Sequence, residues 1–236
     1  MCITVLQKVS TGCRGIDKFL SGGLSFDSVS LIYGEADTGK TTLAMQCAIN
    51  CARQGYKTLF IDCDGSFSTG RLSQMVPEKF KEIAELIMLI KPNNFREQTV
   101  VIDQLANYIT KNFGLIVFDT ITTLYRVEVA EYPEKTFALN RELNRQIALL
   151  AQIAKTKKIG VLMTSQVRSF LNYTHVSVEP VATRVLKFWA DTIIAMKPTE
   201  NSHIVQAILE KNPIRAGVIE APSWHLKIDN AGIHDY

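Results

Sequence analysis

A glycine-rich stretch, GEADTGKTT at residues 34–42, constrains the fold of this chain more than any other feature. It places Gly34 and Gly39 five positions apart, follows them with Lys40 and Thr41, and comes directly after the apolar run VSLIY. When a buried strand enters such a loop and a helix leaves it, backbone N–H groups can turn inward on phosphate groups. The stretch therefore predicts a phosphate-binding loop between a strand and a helix.

The loop also predicts a site for a nucleotide with a divalent cation. Lys40 can reach the terminal phosphates, and the Thr41 hydroxyl can bind Mg²⁺. The expected nucleotide contacts are Gly34, Glu35, Ala36, Asp37, Thr38, Gly39, Lys40, Thr41 and Thr42. A second metal-binding group is expected at Asp119, because the apolar run LIVFD ends in this carboxylate.

The pattern of apolar residues predicts an α/β domain with a mostly parallel sheet. Continuous apolar runs are typical of strands that are buried on both faces, and they occur at residues 29–33, 57–62, 115–119 and 159–165. Helical patterns cover residues 41–54 and 137–157. After Asp191, short apolar runs separated by turn residues predict antiparallel strands at one end of the sheet.

The composition narrows the cellular setting without indicating a substrate. Apolar residues make up 47% of the chain, no apolar run approaches a membrane span, and the N-terminus does not resemble a signal peptide. The five cysteines are typical of small buried side chains in a reducing cytosol, so a cytoplasmic protein without membrane contact is expected. A net charge of +3 is compatible with nucleic acid but does not require it.

Several segments resemble the core of the RecA/RadA recombinases in order and spacing. They are VSTGCRGIDKFLSGGL, YGEADTGKTTLAMQ, FIDCDGSFSTGRL, IVFDTITTLYR, VLMTSQV and LKIDNAGIHD. The similarity is greatest to the short archaeal paralogues of RadA and covers nearly the whole chain. It implies a RecA-like P-loop ATPase core over residues 1–236, with ATP and Mg²⁺ as cofactors.

The resemblance also implies roles for individual residues. Asp64 lies where the family has its catalytic glutamate, Arg71 where an arginine stacks on the adenine, and Gln166 where a glutamine senses the γ-phosphate. With Lys40, Asp64 and Gln166 form the expected catalytic set. Alternatives remain open at this stage: Asp62 as a structural acid at a strand end, Arg71 as a solvated arginine, and Gln166 as a strand-end cap.

Two departures from the family pattern bear on activity. The Asp64 side chain is one carbon shorter than glutamate, which withdraws the carboxylate by about 1.5 Å. Misplacement of a catalytic group by about 1 Å can cost roughly 100-fold in rate, so slow hydrolysis is expected. Only nine residues precede Ser10, so we expect the helical DNA-binding domain and docking linker of the family to be absent.

The segments that match the DNA-binding loops of the family predict weak binding of single-stranded DNA. The first, at residues 127–139, holds three glutamates and one lysine, and its negative charge opposes phosphate binding. The second interleaves cations with aromatic rings, a pattern typical of single-strand binding, although a mobile loop with incidental aromatics would look the same. Its candidate DNA-binding residues are Arg168, Phe170, Tyr173, Arg184 and Lys187. Lys211 and Arg215 resemble a segment that reaches the nucleotide of a neighbouring subunit, and they imply nucleotide-dependent self-association.

These observations favour an ATP-binding accessory protein of homologous recombination that hydrolyses ATP slowly and acts with a RadA-type recombinase on single-stranded DNA. Three alternatives stay open. The chain could be a competent DNA-dependent ATPase that exchanges strands itself, a regulatory ATPase similar to KaiC without a DNA role, or a nucleotide-sensing adaptor without turnover. Strong stimulation of hydrolysis by DNA would favour the first alternative.

Overall fold

The structure, a computed structural model, describes residues 8–171, 176–180, 182–213 and 221–236, and it does not describe the side chains of residues 168–171, 176–180 and 183. The side chains of Arg168, Phe170, Tyr173 and Arg215, for which DNA binding or self-association is expected, therefore lie outside the described part of the chain.

The strands follow the predicted apolar runs closely. In chain order they are β1 (Lys8–Val9), β2 (Leu24–Ser25), β3 (Val29–Gly34), β4 (Lys57–Asp62), β5 (Ile87–Ile90), β6 (Phe113–Asp119), β7 (Gly160–Leu171), β8 (Val176–Pro180), β9 (Thr192–Pro198), β10 (Ile204–Lys211), β11 (Ser223–Asp229) and β12 (Gly232–Asp235). Strands β1 and β2 form a small antiparallel pair of their own. The remaining strands belong to one sheet.

The main sheet is parallel at its centre and antiparallel at one end, which confirms the predicted fold class. Its strand order is β12-β11-β10-β9-β3-β7-β6-β4-β5, and β8 pairs with β7 outside this path. The strands from β9 to β5 in this order run parallel. The pairs β9–β10, β10–β11 and β11–β12 are antiparallel, as the short C-terminal apolar runs predicted.

Helices cover both faces of the sheet. In chain order they are α1 (Arg14–Phe19), α2 (Lys40–Arg53), α3 (Thr69–Met75), α4 (Phe80–Ala84), α5 (Phe95–Tyr108), α6 (Thr123–Glu131), α7 (Thr136–Lys157) and α8 (Thr183–Trp189). Among the described residues, no helix combines the length and the apolar content that a membrane span requires.

Burial on both faces explains why the central strands are continuously apolar. In β6, Leu115 and Val117 belong to the core beneath α2, whereas Ile116 and Phe118 belong to the core beneath α5 and α7. Successive side chains of a strand point to opposite faces, so a strand between two cores needs an apolar residue at every position.

The C-terminal hairpin of β11 and β12 packs on α2 and holds the start of that helix in place. Gln46 of α2 is buried, and its amide nitrogen donates to the carbonyl oxygens of Thr11 and Ile233, each at 2.8 Å. Its Oε1 atom accepts a hydrogen bond from the Ile233 N–H, also at 2.8 Å. Both ends of the described chain are thereby tied to the helix that follows the phosphate-binding loop.

Candidate nucleotide-binding site

The predicted site residues come together at the carboxyl edge of the central strands. The parallel register sets Gly34 of β3 beside Gln166 of β7, and Asp62 of β4 beside Asp119 of β6. Ligands of open α/β sheets bind outside the carboxyl ends of the strands, which is where these residues lie.

The two motif glycines are required by close packing as well as by loop geometry. A Cβ atom at Gly34 would lie 2.1 Å from the carbonyl oxygen of Met196 in β9. Gly39 has φ +81° at the start of α2, and a Cβ atom there would meet the side chains of Ile228 and Ile233 within 3 Å. At Gly34 a side chain has no room against the β9 backbone, and at Gly39 the positive φ disfavours any residue with a side chain.

Lys40 is a buried cation that lies within the loop. Its side chain is only 8% exposed, and Nζ donates hydrogen bonds to the Glu35 carbonyl oxygen and, at 3.4 Å, to Thr38 Oγ1. Burial lowers the pKa of Lys40, and the negative charge of Asp119 is the largest opposing influence. Among the described residues no carboxylate forms an ion pair with it, so the site fits an anion that would supply the missing counter-charge.

Asp119 lies in a set of oxygen atoms that fits Mg²⁺. The carboxylate is fully buried and accepts hydrogen bonds from Thr164 Oγ1 at 2.5 Å and from Ser66 Oγ at 3.0 Å. Ser66 Oγ also lies 3.3 Å from Thr41 Oγ1, which links the loop to the β6 strand end. Burial raises the pKa of Asp119, whereas the hydrogen bond from Thr164 lowers it by a smaller amount. Carboxylate and hydroxyl oxygens are ligands that Mg²⁺ prefers, so Thr41 and Asp119 would hold the cation.

Asp62, the last residue of β4, and Asp64, two residues later, differ in their surroundings. Asp62 is buried, and its Oδ1 atom accepts hydrogen bonds from the backbone N–H groups of Gly65 at 2.9 Å and Ser66 at 3.0 Å. This carboxylate therefore shapes the turn, which agrees with its interpretation as a structural acid. Asp64 is exposed on the same turn, and its Oδ2 atom lies 3.4 Å from the Thr120 hydroxyl.

Gln166 is held by a residue that the sequence did not single out. Its Oε1 atom accepts a hydrogen bond from Nη1 of Arg126 in α6 at 2.9 Å. Arg126 and Ser66 are both exposed at the site edge. Both residues lie in segments that resemble the family, but neither pattern indicated a contact. Only the fold brings Arg126 to Gln166 and Ser66 to Asp119.

Arg71 of α3 reaches across to the C-terminal hairpin. Its guanidinium donates to the carbonyl oxygen of Asp229, at the end of β11, at 2.5 Å and to that of Asn230, in the turn before β12, at 3.1 Å. The side chain is therefore anchored rather than freely solvated. The expected stacking on adenine stays a prediction.

The described residues of the two segments expected to contact DNA lie mostly in helices and strands. Residues 127–139 form the end of α6, a short 3-10 turn at Pro133–Lys135 and the start of α7. The described part of the second segment contributes the end of β7, strand β8 and helix α8. Arg184 is exposed, whereas Lys187 is paired with Glu210 at 3.0 Å. The ammonium of Lys211 donates to the Ala190 carbonyl oxygen at 2.5 Å.

Comparison with known proteins places this arrangement in context. A family model described as Rad51 matches residues 4–235. A DNA repair and recombination protein RadB from Methanococcoides burtonii is 33% identical over 83% of this chain and 85% of its own length. The RadB from Methanocaldococcus jannaschii is 32% identical over 84% of this chain and 90% of its own length. A crystal structure of the RadB recombinase superposes with a TM-score of 0.80 and 31% identity, covering 97% of this chain and 99% of that chain.

Proposed function

The chain belongs to the Rad51 family, and on this basis we propose that it is an ATP-binding accessory protein of DNA repair and homologous recombination. It hydrolyses ATP slowly and acts with a RadA-type recombinase on single-stranded DNA. The relatives described as DNA repair and recombination proteins support this assignment because they match most of the chain.

The observation that carries the proposal is the convergence of Lys40, Thr41 and Asp119 at one edge of the sheet. The buried ammonium of Lys40 supplies positive charge for the terminal phosphates, and the N-terminus of α2 adds a partial positive charge. Thr41 and Asp119 would hold Mg²⁺, which when bound neutralises charge on the phosphates. Arg71, beside the C-terminal hairpin, is the candidate contact for the base.

Slow turnover follows from the position and length of Asp64. This exposed carboxylate lies 3.4 Å from the Thr120 hydroxyl, and it would orient the attacking water and accept its proton. Gln166, held by Arg126, would sense the terminal phosphate from β7. Because the carboxylate of aspartate is withdrawn by one carbon relative to glutamate, the proton acceptor is less well placed and the rate is low.

The edge strand β5 is the candidate docking surface for the recombinase partner. In the described part of the chain β5 pairs only with β4, so its outer edge presents unpaired backbone N–H and C=O groups. Met88 and Leu89 in this strand are 46% and 45% exposed. An extended linker of the partner can add to such an edge through main-chain hydrogen bonds and apolar side-chain contacts.

Replacing an exposed apolar residue of β5 with a charged residue should weaken the complex with the cognate RadA-type recombinase. Leu89→Glu places a carboxylate on the surface where an apolar side chain of the partner would pack, and we expect at least roughly a 10-fold loss of affinity. The matched control is Val127→Glu, because Val127 is 57% exposed on α6 and lies outside this edge. Size-exclusion chromatography with light scattering, with ATP and Mg²⁺ present, measures complex formation.

The proposal of a recombinase partner is wrong if the wild-type protein and RadA elute separately under all nucleotide and DNA conditions. If a complex forms and both variants weaken it equally, the partner binds elsewhere and β5 is not the docking surface.

A further inference from the structure

Asp37 lies in the phosphate-binding loop in a backbone conformation that favours glycine. Its φ is +58°, in the left-handed region where a side chain is disfavoured, although aspartate and asparagine tolerate this region better than most residues do. Within the described part of the chain, its carboxylate accepts no hydrogen bond and forms no ion pair. No contact inside the protein therefore compensates the conformation, and what the side chain contributes to the loop is a negative charge.

The loop carries more negative than positive charge, which opposes the binding of phosphates. Residues 34–42 contain Glu35 and Asp37 against one cation, Lys40. Both acidic residues are exposed, whereas Lys40 is buried. Because a triphosphate is anionic, each carboxylate at the loop lowers the affinity that Lys40 and the backbone donors provide.

Of these two acidic residues, Asp37 acts more strongly on Lys40. Burial lowers the pKa of Lys40, and four carboxylates raise it, in the order Asp119, Asp37, Asp64 and Glu35. Asp119 would hold Mg²⁺, so Asp37 is the strongest of the remaining acidic groups at the Lys40 ammonium. Since the same ammonium would contact the terminal phosphates, the charge that stabilises it repels those phosphates.

We propose that Asp37 is a selectivity residue of the nucleotide site, which discriminates against nucleoside triphosphate that lacks a divalent cation. A bound Mg²⁺ neutralises charge on the phosphates. The Asp37 carboxylate therefore repels the free triphosphate more strongly than the Mg²⁺ complex. The inference rests on the proposed nucleotide site and adds to it a preference for one form of the ligand.

Isothermal titration calorimetry with ATP, carried out once with excess Mg²⁺ and once with EDTA, tests the inference. Asp37→Asn removes the charge and keeps a side chain that tolerates the left-handed conformation. We expect this variant to bind free ATP at least roughly 10-fold more tightly than the wild-type protein, and the Mg²⁺ complex only about 3-fold more tightly. Glu85→Gln is the matched control, because Glu85 is exposed before the amino end of β5, at the opposite edge of the sheet from the loop.

Two further measurements separate the effect of charge from the effect of backbone conformation. The gain in affinity of Asp37→Asn should shrink as the salt concentration rises, because the charge of an exposed residue is screened. Asp37→Gly also removes the charge and has no side chain to strain the loop, so it should show the same larger gain for free ATP. Melting temperatures without nucleotide check that both variants stay folded.

The possible results lead to different conclusions. A larger gain for free ATP than for the Mg²⁺ complex, reduced at high salt and absent from the control, supports the inference. Wild-type affinities of Asp37→Asn under both conditions overturn it and leave the proposed nucleotide site intact. Weaker binding of the Mg²⁺ complex also overturns it, since the carboxylate would then hold the cation. A gain that is equal at every salt concentration would come from the backbone and would contradict a role of charge. If the wild-type protein binds no ATP with or without Mg²⁺, the nucleotide site itself is wrong and the inference fails with it.

Discussion

Lys40→Ala is expected to lower the affinity for ATP with Mg²⁺ by at least about 100-fold, or about 2.7 kcal/mol. The Lys40 ammonium is buried in the loop and has no carboxylate partner among the described residues, so it is available for a charge-assisted contact to the terminal phosphates. In its absence the loop keeps its backbone donors but loses the only buried cation identified at this edge of the described sheet. Isothermal titration calorimetry measures the change.

The Lys40→Ala variant should stay folded, because removal of a buried charge relieves a desolvation cost. An unchanged or raised melting temperature without nucleotide checks this expectation. Lys79→Ala is the matched control, since Lys79 is exposed on the turn after α3. Wild-type ATP affinity in Lys40→Ala would show that residues 34–42 are not the phosphate-binding loop.

Asp64→Glu is expected to raise the turnover of ATP, by up to about 100-fold if the withdrawn carboxylate is the sole defect. The turn that carries Asp64 is held by Asp62, so the longer side chain extends from a fixed backbone toward Thr120 and the strand ends. Asp64→Asn should lower turnover below the wild-type rate, because an amide cannot accept the proton of the attacking water. The rate of phosphate release at steady state gives the turnover of the wild-type protein and of the two Asp64 variants.

Equal ATP affinities across the Asp64 series would separate an effect on chemistry from an effect on binding. A rate unchanged in Asp64→Asn, or lowered in Asp64→Glu, would mean that another group accepts the proton. Asp62 would then be the next residue to test, although its hydrogen bonds to Gly65 and Ser66 make a structural defect the expected result there.

The central architecture could be predicted from the chain because its determinants are local. Doubly buried strands require unbroken apolar runs, and β4 was predicted with the same bounds that it has in the structure, Lys57–Asp62. The carboxyl end of β6 fixes where Asp119 lies, and the parallel register with β3 sets Gln166 beside Gly34, although β7 continues to Leu171 instead of ending where the apolar run 159–165 predicted. The turn from β3 into α2 at residues 35–39 was likewise predicted from the glycine spacing and the apolar run that precedes it.

Features that depend on contacts between distant segments could not be predicted. The link from Thr41 through Ser66 to Asp119 needs three different elements to meet, and no spacing rule encodes that meeting. The same holds for the bond between Arg126 and Gln166. Residues 127–139 contain Pro133 and several charged residues, a pattern typical of a loop. Packing of α6 and α7 against the sheet nevertheless makes most of this segment helical. Short elements such as β5 and α3 lack enough residues for a periodic signal.

The accessory role is the central claim, and negative-stain electron microscopy of the purified protein with ATP, Mg²⁺ and single-stranded DNA tests it most directly. The acidic α6–α7 segment opposes DNA phosphates, and Lys211 is already bonded to Ala190 within its own chain. We therefore predict no regular filaments of this protein alone, whereas the cognate RadA-type recombinase forms them under the same conditions. Regular helical filaments in the absence of that recombinase would contradict the accessory role and favour a competent recombinase.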